Sequence, residues 1–162
     1  MEFGALGNGK HDDTAAFQAA FDAMGVLPGQ VYVPTGSFLL TQTIRVISPG
    51  LFSLRGDGPS SNILWSADKT LLLFCAPSPV SMTTITDFTV SSIDQKKSAT
   101  STALAFPAGF VKSQIRSVQL IGAGGLPGGA IASTLPIGSG QQVDNVRLDL
   151  AQSWKVKYER LG

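Results

Sequence analysis

Three six-residue segments share the form apolar-x-x-apolar-x-apolar: ITDFTV (85–90), IRSVQL (115–120) and VDNVRL (143–148), at offsets of 30 and 28 residues. A period near 30 that holds two or three short strands is what a parallel β-helix leaves in a sequence. Each repeat is one supersecondary unit that buries its inward side chains only against its neighbours. Short apolar segments, TALAF and GAIAS, fall between the copies. Neighbouring strands stand about 4.8 Å apart, so an in-register repeat predicts inward ladders Ile85–Ile115–Val143, Phe88–Val118–Val146 and Val90–Leu120–Leu148. A β-sandwich can also carry three copies of so loose a pattern, and on these residues alone both folds stay open.

The rest of the chain fits many short strands. QVYVPTGSFLL reads as two strands around a Pro-Thr-Gly turn, and TIRVI, LFSLRG, NILW and TLLLFCA follow between Gly, Pro, Ser and Asp. One segment differs. In GNGKHDDTAAFQAAFDAMG (7–25), Phe17, Ala20, Phe21 and Met24 recur at i, i+3, i+4 and i+7, which is one face of a helix. Asp12 or Asp13 is placed to cap its start and Gly25 to stop it. No second amphipathic helix appears, which excludes a parallel sheet crossed by helices. Two adjacent Asp residues point in different directions and make no acid/base pair. His11 has no ligand-spaced partner and reads as a loop residue. GNGKH lacks the full phosphate-loop pattern, and GAGGLPGG (122–129) reads as a flexible turn.

The 162 residues bound the chain to one domain. With a net charge of +1 and no long charge run, nucleic acid is not an expected partner. The basic tail KVKYER reads as a solvated end. The single Cys75 excludes a disulfide framework and a Cys-based metal site, and its apolar surroundings predict a buried, inert thiol. No leader peptide is legible, and no apolar run is long enough for a membrane span. No cofactor or metal is expected.

The opening motifs carry a resemblance. Phe3-Gly4-Ala5, Gly7 and Gly9, Asp12-Asp13-Thr14, Ala16-Phe17-Gln18, Val31-Tyr32-Val33-Pro34 with Gly36, and Leu54 with Gly56 and Gly58 resemble the pectate-lyase-like superfamily. The likeness is to the N-terminal part of phage tailspike and rhamnogalacturonase/epimerase-type β-helices, and it covers about the first 65 residues. It implies an all-β fold, a right-handed parallel β-helix with one N-terminal capping α-helix. That fold would run as a cap (1–30), five or six rungs (31–150) and a tail (151–162), expected as a fragment of a longer protein. The helix face of Phe17, Ala20, Phe21 and Met24 would close the open end of the core.

The resemblance also implies polysaccharide as the partner. Glycoside hydrolysis needs two carboxylates, about 5 Å apart for retention or 6.5–9.5 Å for inversion. The repeat aligns Asp87 with Ser117 and Asn145, so that ladder holds no second acid, and Asn145 suits a corner. Asp144 aligns with Arg116 as a stacked ion pair, and Asp149 follows Arg147 on one strand. Asp144, Arg147 and Asp149 are the candidate catalytic residues, a loose grouping of base and cation as lyase chemistry requires, against the simpler reading of the same residues as a solvated strand face. Trp65 reads as core. Trp154 and Tyr158 are candidates for stacking on sugar or on a neighbouring subunit. Two functions follow. One is a tailspike-like depolymerase of bacterial surface or pectin-like glycan, or its N-terminal fragment. The other is a non-catalytic carbohydrate-binding or structural module of a phage tail. Both imply a virion or extracellular location and either a homotrimer or a longer parent chain.

Overall fold

The computed structural model describes residues 2–47, 50–65, 70–75, 80–93, 102–107, 110–122, 131–133, 142–144 and 147–150. The chain opens with β1 (Asn8–Asp12) and α1 (Thr14–Met24), then β2 (Gly29–Val33), β3 (Gly36–Leu40) and β4 (Ile44–Val46). Next come β5 (Phe52–Gly56), a 3-10 turn at Gly58–Ser60, β6 (Ser61–Trp65), β7 (Leu72–Phe74) and β8 (Val80–Ser81). They are followed by β9 (Thr84–Ser92), β10 (Leu104–Phe106), β11 (Phe110–Val111), β12 (Gln114–Gly122), β13 (Ile131–Ser133), β14 (Gln142–Asp144) and β15 (Arg147–Leu150). The protein is mostly β, with one α-helix among the described residues.

Among the described residues every strand pairing is parallel, and β9 and β12 pair along most of their length with a register offset of 30 residues. The first sheet runs β1-β3-β6-β9-β12-β14, with β2 on β5, β5 on β9 and β15 on β12. The second runs β13-β10-β7-β4, and β11 pairs with β8. The predicted ladders Ile85–Ile115–Val143 and Val90–Leu120–Leu148 are present as register partners. Phe88 pairs with Val118, while Val146 lies outside the described residues. Alternation aims one residue in two at the core, so Val31, Val33, Leu54, Ile85 and Ile115 are buried. Trp65 is buried as expected.

β9 spans the length of two earlier strands. Its first half pairs with β5 (Ser53↔Thr84 to Arg55↔Thr86) and its second half with β6 (Asn62↔Thr89 to Trp65↔Ser92). Between the halves Asp87 is left-handed, at φ 62°, and its counterpart Ser117 is the same at φ 51°. A single left-handed residue therefore makes the corner that Asp57–Ser60 make one repeat earlier. Asn145, where a corner was expected, lies outside the described residues, as do residues 123–129 of the expected turn, whose first residue, Gly122, ends β12.

The helix covers the foot of this arrangement. Phe17 and Phe21 are buried, with Ala20 and Met24 packed against the core. The Phe17 ring meets Phe38 at 5.4 Å and the Phe21 ring meets Phe52 edge-on at 6.4 Å. Burying each such ring contributes about 1.5–3 kcal/mol. Gln18, on the same helix, accepts from the Arg45 N–H and donates to the Arg45 carbonyl, both at 2.9 Å. Its amide thus stands in for a neighbouring strand along the edge of β4. Gly25 ends the helix at φ 57°, its N–H on the Phe21 carbonyl at 3.0 Å.

One expectation is narrowed and two are corrected. Asp13 occupies the N-cap position, but its carboxylate makes no capping bond and reaches back to the N-terminal segment; it is the Asp12 carboxylate that accepts from the first helical N–H, that of Thr14. His11 is on strand β1, not in a loop. Cys75 is exposed, because it falls just past the end of β7, beyond the alternation that buries Leu72.

Candidate functional site

The Asp-Asp pair that opens the chain is a clasp. Asp13 is fully buried; its carboxylate accepts from the N–H groups of Leu6 (2.8 Å) and Gly7 (3.1 Å) and lies 3.0 Å from His11 Nδ1. Asp12 accepts from the Thr14 N–H at 3.0 Å, from the Thr14 hydroxyl, and from the Thr41 hydroxyl at 2.6 Å. Partial burial opposes the charge on Asp12, but these bonds outweigh it and hold its pKa below the usual value. The Asp13 carboxylate thus ties the N-terminal segment to the start of α1, and the Asp12 carboxylate ties that start to Thr41, just past β3. The described residues contain no group of three His, Cys, Asp or Glu able to hold a metal ion, and no helix among them is long and apolar enough to cross a membrane.

The outer face of β2, β5, β9, β12 and β14 is a different surface. Register pairs Tyr32 with Arg55, Arg55 with Thr86, Thr86 with Arg116 and Arg116 with Asp144. The first four side chains of this row are exposed or half-buried, while their strand neighbours Val31, Leu54, Ile85 and Ile115 are buried. Strands about 4.8 Å apart put the Cα atoms of Arg55 and Arg116, two strands apart, roughly 10 Å from each other. A parallel row of Gln30, Ser53, Thr84 and Gln114 flanks it, continuing to the register position of Gln142. Arg116 Nη1 donates to Gln114 Oε1 at 3.3 Å.

A fixed polar group stands at the foot of the row. The Tyr32 hydroxyl donates to Asp57 Oδ1 at 2.6 Å, and Asp57 Oδ2 accepts from the Thr35 N–H at 3.0 Å and the Thr35 hydroxyl at 3.3 Å. The Asp57 N–H donates to Ser61 Oγ (2.7 Å), whose hydroxyl donates to the Val33 carbonyl (2.8 Å). The Tyr32 bond, together with Thr35 and the nearby Arg55 charge, lowers the Asp57 pKa, and the same bond raises that of Tyr32. An aspartate so held stays ionised and is a poor general acid. Tyr32 also borders a cleft of about 640 Å³ between the N-terminal segment, α1 and β2, with Phe3, Met24 and Leu27 in its wall.

The sequence candidates fall on two strands, β14 and β15. Asp144 ends β14 beside Arg116, where the alignment expected it. Arg147 and Asp149 are on β15, with Gln119 and Ile121 as register partners. Trp154, Tyr158 and the rest of the tail lie outside the described residues. Sequence reasoning missed Tyr32, Arg55 and Asp57 as parts of a common surface. The signal was alternation in VYV and SLRG, which marks Tyr32 and Arg55 as outward-facing.

A family model for rhamnogalacturonase A/epimerase, pectate lyase-like, matches residues 1–155. Such a match points to a role in acting on, or binding, polysaccharide. No curated protein and no solved structure matches the chain. The match spans nearly all of the sequence and agrees with the parallel ladders and single helix described above: the chain belongs to the pectate lyase-like rhamnogalacturonase A/epimerase family.

Proposed function

We propose that the stacked repeats form a single right-handed parallel β-helix and that this chain binds an acid-bearing polysaccharide along its outer face. The observation that carries this reading is the in-register row Tyr32–Arg55–Thr86–Arg116. Two outward guanidinium groups on one line offer forked donors to carboxylates spaced along a glycan. Right-handed crossovers are the rule for parallel strands joined in this way. Such a protein works outside the cell or on a virion. A parallel stack has an open end strand that needs cover, and on this reading a longer parent chain or a trimeric partner supplies it.

A second reading, a tailspike-type depolymerase, is favoured by one observation: Asp144 follows Arg116 in register, a base beside a cation, with Arg147 and Asp149 on the next strand. Affinity electrophoresis in polygalacturonate, hyaluronate and dextran tests binding. The expected result is retardation by an acidic polymer that weakens with salt, is absent with dextran, and falls about tenfold in Arg55→Gln with Arg116→Gln. Failure to bind any of them, or binding unchanged in the double variant, contradicts the proposal. New reducing ends or unsaturated uronate absorbance would turn the reading to a depolymerase. Binding without either supports a non-catalytic module.

A further inference from the structure

We infer that Tyr32 is a stacking platform for a pyranose ring at the foot of the Arg55–Arg116 row, and that Asp57 positions it. The inference rests on the polysaccharide-binding reading above and adds to it a subsite and a chemistry. Tyr32 is 53% exposed between the buried Val31 and Val33. Its hydroxyl is already taken by Asp57, so what it presents outward is the ring. A ring face is an apolar, polarisable surface suited to the axial C–H bonds of a sugar. Polar partners for the same sugar are one strand away at Arg55 and on the flanking row at Gln30 and Ser53.

The anchor is built with more care than an idle surface residue needs. Asp57 is held by the N–H and hydroxyl of Thr35. Its own N–H is held by Ser61, which is fully buried and bonded to Val33, the residue after Tyr32. The strand that carries the ring and the turn that fixes it are therefore one closed set of hydrogen bonds. Fixing the ring before binding removes the ordering cost that a free tyrosine would incur on contact with ligand.

The test uses wild type, Tyr32→Ala, Tyr32→Phe and Asp57→Asn against oligomers of whichever polymer, polygalacturonate or hyaluronate, retards the wild type. Circular dichroism confirms the fold of each variant. Tyr32→Ala is expected to weaken binding about tenfold. Tyr32→Phe keeps the ring and loses its bond to Asp57, Asp57→Asn loses the charge and one of the two acceptors that serve Tyr32 and Thr35, and each is expected to weaken binding by a smaller factor. In NMR spectra, one sugar's ring C–H protons should shift upfield on binding to wild type and not to Tyr32→Ala, a signature that a purely structural role would not give. Wild-type binding with equal affinity in Tyr32→Ala, or with no such shift, overturns this inference and leaves the Arg55–Arg116 reading standing. Wild-type failure on both polymers overturns the two together.

Discussion

Gly56 has no room for a side chain. A Cβ there would lie 2.3 Å from the Asp87 carbonyl oxygen and 2.9 Å from the Cβ atoms of Phe88 and Ser61. Gly56→Ala is predicted to cost about 2–4 kcal/mol in urea unfolding, because the left-handed corner of the next repeat has to move. The reverse holds at Met82, an exposed residue at φ 50°. Left-handed backbone strains any residue with a branched or long side chain, so Met82→Asn is predicted to stabilise by about 0.5–1 kcal/mol in the same measurement. The Tyr32–Asp57 bond sets a pH dependence. Asp57 titrates below its ordinary 3.8 in the fold, so its contribution is complete above that value and is lost as pH falls through the folded one. Tyr32 titrates above its ordinary 10.0, so its contribution is complete below that value and is lost as pH rises through the folded one. The difference in Tm between wild type and Asp57→Asn should be constant from about pH 5 to about pH 9 and shrink on either side. A difference independent of pH would contradict this assignment.

At the scale of elements, the foot of the first repeat is closed by two devices: β1 pairs with β3, and the Gln18 amide pairs with β4. Gln18→Glu keeps the acceptor for the Arg45 N–H, removes the donor to the Arg45 carbonyl and sets a charge against it. It is predicted to lose about 1–2 kcal/mol in urea unfolding and to speed amide exchange at Arg45 more than at β6. The helix is legible in the sequence because Phe17, Ala20, Phe21 and Met24 share one face only on a helical backbone. A strand would send Phe17 and Ala20 to opposite sides. The ladders at 85 and 115 are legible because their corners, Asp87 and Ser117, are single residues, which keeps the spacing constant along β9 and β12. Earlier in the chain the corner is a four-residue turn. Ser53 pairs with Thr84 at an offset of 31, and Asn62 with Thr89 at 27. One period cannot describe both halves, so the row through Tyr32 and Arg55 is hidden although each residue is visible. The Asp12 clasp is also beyond a local pattern, since Thr41 is far along the chain, and the Asp13 carboxylate turns back to Leu6 and Gly7 where a forward cap is the nearer expectation.

Over the whole molecule, family membership suggests a polysaccharide-acting or carbohydrate-binding role, and the register of the strands sets outward residues in rows. The account depends most on successive repeats sitting in register so that outward residues form rows. Nitroxide labels on Thr86→Cys and Arg116→Cys, with Cys75→Ser to remove the exposed native thiol, measure this directly by continuous-wave EPR. Their Cα atoms are register partners, about 5 Å apart across neighbouring strands. The account predicts strong dipolar broadening in the doubly labelled protein and none in either single variant. A doubly labelled spectrum equal to the sum of the singles would contradict it.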